Sequence, residues 1–297
     1  MNHSIIAASR LRRVELPFII TVNSGSSGSY TIPTDPSRFF NYNYDVTTSD
    51  GQNIAGNTGN LTISFPSTNT VYTIEISKSF PKMFINNNAE KLKFLSIEQF
   101  GIYGKNAPNQ FRAFYLASNC VINATDAGSF EDVTEIINFF DGLSSVVSFP
   151  TINTINVTNW NASFRGMINL LKFPLLNTSS GINFSFFLFG NASLVSFGKY
   201  NFQNASRFSL SWYNCISLVN FDGTSFENCP CINYKDAFQN TNLSQTSIDS
   251  ILTSINSNST SNGFFKQTGG SAPSSIGEAA ITAMRSRGWT ITVTGGF

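Results

Sequence analysis

A hydrolase built on a serine or cysteine nucleophile needs a general base beside it. This sequence contains one histidine, His3, near a basic N-terminal stretch. Glycoside cleavage asks only for two carboxyl groups at a suitable separation. The densest acidic set is Asp126, Glu131, Asp132 and Glu135, joined by Asp141. Residues 131 to 137 read as a helical or irregular connection, where charges face solvent, so no catalytic residue is assigned. Asp45 and Asp50 flank a turn of the kind that holds calcium in sandwich loops, but two separated carboxylates are a thin ligand set. Cys229 and Cys231 form Cys-Pro-Cys, too tight for an easy disulfide, and a structural zinc would require Cys120 and Cys215 as well. Buried free thiols are expected, with no metal and no cofactor. The residues that suit binding are small and polar: Ser148, Lys172, Ser196 and Asn220, spaced as a ladder on one exposed face.

What must position that ladder is a repeat, the strongest signal in the chain. Val146-Val147-Ser148-Phe149, Leu170-Leu171-Lys172-Phe173, Leu194-Val195-Ser196-Phe197 and Leu218-Val219-Asn220-Phe221 recur at a constant step of 24. Phe140, Phe164, Leu188 and Trp212 form a column with the same step, as do Gly142, Gly166, Gly190 and Asn214. Trp160, Phe184 and Phe208 make a third, continued two residues late by Tyr234; Asn153, Asn177 and Asn201 make a fourth. Apolar columns stack inside, because one repeat alone could not bury its own face. The Gly/Asn column marks a tight turn, since these residues best tolerate positive φ. The Asn153 column is expected to cap backbone groups of the next coil. The Leu-x-x-Phe segments are expected as parallel strands lining one face.

The repeat weakens upstream, where Leu116 and Ile122 precede Phe140 and Val146, and residues 91–97 read as an entry coil or cap. Downstream, Ile248, Ile251, Leu252 and Ile255 share one face of a short helix. A second helix is expected over 274–287, with Pro273 at its start, Glu278 in the first turn and Gly288 at its end. Residues 289–293 alternate as a closing strand. Near the N-terminus, 18–22, 39–46, 61–65 and 71–76 alternate as strands between Gly, Asp-Gly and Pro turns, which predicts a small antiparallel sandwich.

Composition narrows function. Charged residues are 12% and net charge is +1, so the chain lacks the positive field that displaces counterions from phosphates, and no nucleic-acid partner is expected. Hydrophobic residues at 41% exclude a disordered chain. Asn60, Asn123, Asn156, Asn161, Asn191, Asn204 and Asn242 open Asn-x-Ser/Thr triplets, which an Asn/Ser/Thr-rich composition produces freely. Arg10, Arg12 and Arg13 follow the short apolar run of the N-terminus, the reverse of a secretory leader. Membrane insertion is not expected, because no apolar stretch is long enough. Production and use without export is the expectation, with the basic arm available for docking during assembly.

Val-x-x-Phe-Pro at 146–150 and Leu-x-x-Phe-Pro at 170–174, each followed by an Asn-Thr turn and an aromatic run, resemble the BspA-like surface-protein repeats of the leucine-rich-repeat superfamily. Tyr72-Thr73-Ile74-Glu75-Ile76 through Phe80-Pro81, then residues 93–101, resembles the PKD-like, immunoglobulin-type module that precedes such repeats. Residues 263–296 are similar to the caps of these proteins. Asp45 to Gly51 lacks the usual Trp-Gly-Asp-Gly loop, and Phe100 replaces a frequent Trp. The resemblance implies binding rather than catalysis, and such layouts occur on bacterial surfaces and in phage tail-fibre and virion-surface proteins. The expected fold is mainly β with short helices: a basic arm over 1–13, a PKD-like sandwich over 14–83, a leucine-rich-repeat-like solenoid of about 24-residue coils over 84–240, and an α/β cap over 241–297. The expected function is a non-enzymatic phage virion protein, tail fibre or capsid decoration. It would sit on the virion surface after assembly in host cytoplasm, anchored by other virion proteins as a homo-oligomer, and contact a host-surface protein or glycan. The alternatives are a bacterial surface-adhesion module and a polysaccharide depolymerase.

Overall fold

The computed structural model describes residues 15–37 and 39–297. Arg10, Arg12 and Arg13, the expected docking arm, lie outside the described residues.

Eight strands open the chain: β1 (Phe18–Asn23), β2 (Ser29–Ile32), β3 (Asn43–Thr48), β4 (Asn53–Asn57), β5 (Leu61–Ser64), β6 (Val71–Ser79), β7 (Phe94–Gln99) and β8 (Val121–Ile122). Alternation decides their faces. Phe18, Ile20 and Val22 of β1 and Tyr72, Ile74 and Ile76 of β6 point into the core, while their neighbours stay at least partly wet. One open sheet runs β4-β3-β6-β1-β7-β8, and β2 with β5 forms a second. Phe18, Tyr44, Phe80 and Tyr103 fill the space with rings; the Phe18–Tyr103 centroids are 4.6 Å apart. Each such burial stabilises by about 1.5–3 kcal/mol. Residues 91–97, expected as an entry coil or cap of the repeat, run into β7, which pairs antiparallel with β1 and parallel with β8.

The expected solenoid class is overturned. The described residues are mainly β with few helices, 11% helical and 24% strand, in sheets that do not close. Of the Leu-x-x-Phe segments, only β9 (Ser196–Phe197) and β10 (Asn220–Phe221) form strands, two residues each. Lys172 adds a single bridge to Ser196. The cause is local: each segment lies among turns that bend the chain before a longer ladder can form.

The 24-residue period appears instead as backbone hydrogen bonds between irregular turns. Phe140 N–H donates to Ser163 O (2.8 Å), Phe164 N–H to Phe187 O (3.1 Å), Leu188 N–H to Ser211 O (2.8 Å) and Trp212 N–H to Ala237 O (2.9 Å). Within one tier, Phe139 N–H donates to Ile136 O and Leu143 N–H to Phe140 O, closing two successive tight turns. The second turn of each tier places Gly142, Gly166, Gly190 or Asn214 at positive φ. The first turn does the same with Asn138, Ala162, Phe186, Leu210 and Asp236, a left-handed column that Asn138 and Asp236 tolerate and that Ala162, Phe186 and Leu210 disfavour. Rings stack between tiers: Trp160 on Phe184 at 5.5 Å, Phe184 on Phe208 at 5.3 Å, and Phe208 on Tyr234 at 5.4 Å. Asn153, Asn177 and Asn201 do not cap the next tier. Each accepts from the N–H two residues ahead (Ile155, Ser179, Gln203), and the inter-tier bonds come from the hydroxyls of Thr154 and Thr178. A short Asn side chain reaches its own turn more readily than a neighbour's.

The C-terminal part alternates β11 (Asn233–Phe238), α1 (Gln245–Ser257), β12 (Phe264–Gln267), α2 (Ser275–Arg285) and β13 (Thr290–Thr292). The three strands pair in parallel, in chain order, as strand–helix–strand units do. Ser244 caps α1 by accepting from Ser247 N–H, and Ser274 caps α2 by accepting from Ile276 N–H. Asp249 ties the helices together, accepting from Ser274 N–H (2.9 Å) and Ser274 Oγ (2.5 Å). α1 lies directly on Gly223, where an added Cβ would meet Ile251 N at 2.3 Å.

Candidate functional site

The residues that directly follow the exposed side chains of Val147, Leu171 and Val195 line one open groove. Ser148, Lys172, Ser196 and Asn220 all face it, together with Thr151, Pro174, Leu175, Tyr200, Asp222 and the start of α1 at Ser244, Thr246 and Ser247; the volume is about 790 Å³. Parallel pairing sets the ladder's register: Lys172 opposes Ser196, and Ser196 opposes Asn220. Neighbouring steps are therefore about 4.8 Å apart. The floor is apolar, made by Phe149, Phe173, Phe197 and Phe221, with Phe173–Phe197 at 6.0 Å and Phe197–Phe221 at 5.0 Å. Tyr200 is buried beside them and donates its hydroxyl to Pro174 O at 3.0 Å. Burial pushes its phenol well above the ordinary value, so Tyr200 stays neutral.

Several small polar side chains elsewhere on the tiers bond backbone. Asn156 donates to Glu131 O, Asn169 to Ser144 O, Ser180 to Ile155 O and Asn204 to Ser179 O. Among the described residues, the side chains of Ser148, Thr151, Lys172, Ser196, Asn220 and Thr246 make no hydrogen bond to protein. Lys172 and Asp222 are the only charged groups lining the groove. Its arrangement thus offers a row of free donors and acceptors above an apolar floor.

The four ladder residues were legible in the sequence through their common step. Thr151, Leu175, Tyr200, Asp222 and the α1 start were not. Thr151 and Leu175 do share the 24-residue step, which could have placed them on the same face. Ser244, Thr246 and Ser247 belong to the cap helix, and nothing in the repeat points to them.

Four of the acidic residues are tied into structural hydrogen bonds. Asp126 accepts the N–H groups of Phe100 (2.9 Å) and Gly101 (2.6 Å), and Asp132 accepts that of Asn106. Glu135 accepts from Asn109 Nδ2 at 2.7 Å. Asp141, expected at the surface, is buried; it accepts from Asn138 Nδ2 (2.6 Å) and pairs with Arg165 at 2.8 Å. Burial outweighs Arg165 and holds its carboxyl above the usual value. Glu15, Asp126, Glu131 and Asp132 border a second groove of about 480 Å³, with Lys105 among them. Asp45 pairs with Lys78, and Asp50 bonds Thr48 and Gln52, so neither turns toward an ion site. The four thiols are buried and unpaired, and burial raises all of them, Cys215 to about 12. No helix among the described residues is long and apolar enough to cross a membrane.

No protein family, no curated protein and no solved structure matches this chain.

Proposed function

We propose that this chain is a non-enzymatic attachment protein of a phage particle, a tail fibre or capsid decoration whose groove contacts the host surface. The observation that carries the attachment role is the groove itself, where the ladder Ser148, Lys172, Ser196 and Asn220, with Thr151 and Thr246 beside it, is free of protein partners over an aromatic floor. A binding face requires free hydrogen-bonding groups held by a rigid support, and stacked rings with inter-tier backbone bonds supply that support. The commitment of Asp126, Asp132, Glu135 and Asp141 to structural hydrogen bonds favours binding over polysaccharide cleavage. The virion setting rests on the likeness of residues 146–150 and 170–174 to surface-protein repeats, a layout that occurs on phage particles as well as on bacterial surfaces. In that setting the chain is a homo-oligomer held by other virion proteins, and it binds no nucleic acid and inserts into no membrane.

Labelling purified phage particles with an antibody against residues 90–297, imaged by electron microscopy, tests the setting. Label on tail or capsid supports it and separates fibre from decoration. Label found on bacterial envelopes and never on particles replaces it with the cell-surface adhesion module.

A further inference from the structure

We infer that the groove takes an uncharged, linear glycan, lying across the tiers with one sugar against each step of the ladder. This rests on the attachment reading and names its ligand class. Three features of the groove select that class.

The first is spacing. Ser148, Lys172, Ser196 and Asn220 advance by about 4.8 Å per step, and with the α1 start the groove spans roughly 19 Å. An extended peptide advances about 3.3 Å per residue, so its residues fall between the steps and match the ladder only at every second one. The length of one hexose in an extended chain is close to the step itself, so each sugar meets an equivalent set of groups.

The second is direction. The groove crosses the short strands, and their N–H and C=O groups already bond between tiers: Leu171 N–H to Val147 O, and Val219 and Asn220 N–H to Val195 O. A peptide lying across them finds no free strand edge to pair with. A sugar chain needs none, because its hydroxyls bond side chains.

The third is charge. The groove carries one cation, Lys172, and one anion, Asp222, among hydroxyl and amide groups. A polyanionic glycan would meet no excess of positive charge, whereas a neutral one uses Ser148, Ser196 and Asn220 as donors and acceptors. The apolar face of each sugar ring then rests on the exposed Leu175 or on the narrow fringe of Phe149, Phe173, Phe197 and Phe221 that reaches the groove.

The test titrates the full chain with linear neutral oligosaccharides of hexoses and N-acetylhexosamines, α- and β-linked, graded from one sugar to longer than the groove. Oligogalacturonates and an uncharged extended peptide serve as comparisons. Affinity is expected to rise with each added sugar and level off once the chain fills the groove. Ser196→Trp, which fills the middle of the ladder from a partly exposed site, and Asn220→Ala should each weaken binding by about tenfold or more, with melting temperatures unchanged. The inference is overturned if no neutral oligosaccharide binds, if affinity does not depend on length, or if both variants bind like the wild type. Binding of the peptide or the galacturonates alone also overturns it. Labelled wild-type protein and Ser196→Trp are applied to bacterial cells in parallel. Groove-dependent cell binding without glycan binding removes the glycan and leaves attachment standing; cell binding indifferent to Ser196→Trp removes attachment through the groove as well.

Discussion

Lys82 Nζ and Asp35 Oδ2 stand 2.7 Å apart, with their side chains 2% and 10% exposed. The ammonium also sits 4.8 Å from the Phe84 ring centroid and 5.1 Å from that of Phe40. Tyr42 closes the site by donating to Lys82 O and accepting from Asp35 N–H. The pair pins the chain before β3 to the segment after β6, where Thr34 bridges Met83. An ion pair so placed costs much to break and little to replace whole. Asp35→Ala is expected to lower unfolding free energy by about 3 kcal/mol in urea titration, with a smaller loss in the Asp35→Leu/Lys82→Met double variant. Equal losses in the two would mean that the charge left unpaired is not what matters.

The same carboxyl predicts a pH dependence. Burial alone would raise Asp35, but hydrogen bonds from Lys82 and Ser37 outweigh it and hold the group below its ordinary 3.8. The folded state thus binds this proton less readily than the unfolded chain. Its stabilisation is full above 3.8 and is lost as pH falls through the lower folded value. Asp141 has the opposite sign: its raised value favours the folded state while it is protonated, and that advantage fades as pH rises through the folded value. Urea midpoints at stepped pH should show Asp35→Asn deficient at neutrality and converging on the wild type in acid. Asp141→Asn should match the wild type in acid and gain on it as pH rises; parallel curves for either variant would contradict its assignment.

Backbone strain in the double turns is measurable at two positions. Gly190 has φ +74 with nothing within 4 Å of an added Cβ, so Gly190→Ala tests conformation without a clash. A loss of about 1 kcal/mol is expected. Ala162, at φ +51, is the reciprocal case, and Ala162→Gly should gain up to about 1 kcal/mol by relieving the left-handed strain. Thermal unfolding of both variants settles the sign.

Gly223 sets the seat of α1. Gly223→Ala drives a methyl group into Ile251 N and the Ser250 carbonyl, backbone atoms that cannot swing aside. The expected loss is about 1–3 kcal/mol. Amide exchange should speed up in α1 before the tiers, and oligosaccharide affinity should fall for long chains more than for short ones, since only long chains reach Ser244 and Thr246. Uniform loss across chain lengths would place the damage elsewhere.

Much of this was legible in the sequence because repetition multiplies weak signals. Gly142, Gly166 and Gly190 announced their turns, and Ser148, Lys172, Ser196 and Asn220 announced a shared face. The helices followed from caps and apolar spacing: 247–255 and 274–287 against Gln245–Ser257 and Ser275–Arg285. The fold class failed where pattern and geometry part. Leu-x-x-Phe looks strand-like, yet a tight turn closes onto the first residue of each segment (Leu170 N–H to Met167 O, Leu194 N–H to Asn191 O, Leu218 N–H to Cys215 O), which leaves at most two residues to pair. Strands β2 and β4 were missed because Gly and Asn dominate their surroundings. Lys82 and Asp35 lie far apart in sequence in unremarkable segments, so their meeting was visible only in three dimensions.

The backbone bonds that join each tier to the next have a mechanical consequence. A load applied between the first strand and the last residues would pull along the stacking direction and fall on these bonds tier by tier, in series. Resistance then equals that of the weakest tier, not the sum of all. Under tension the chain would lengthen in steps of one period, each releasing about 24 residues of slack. A tether of this kind yields before it detaches, turning a sudden pull at a surface into a gradual one.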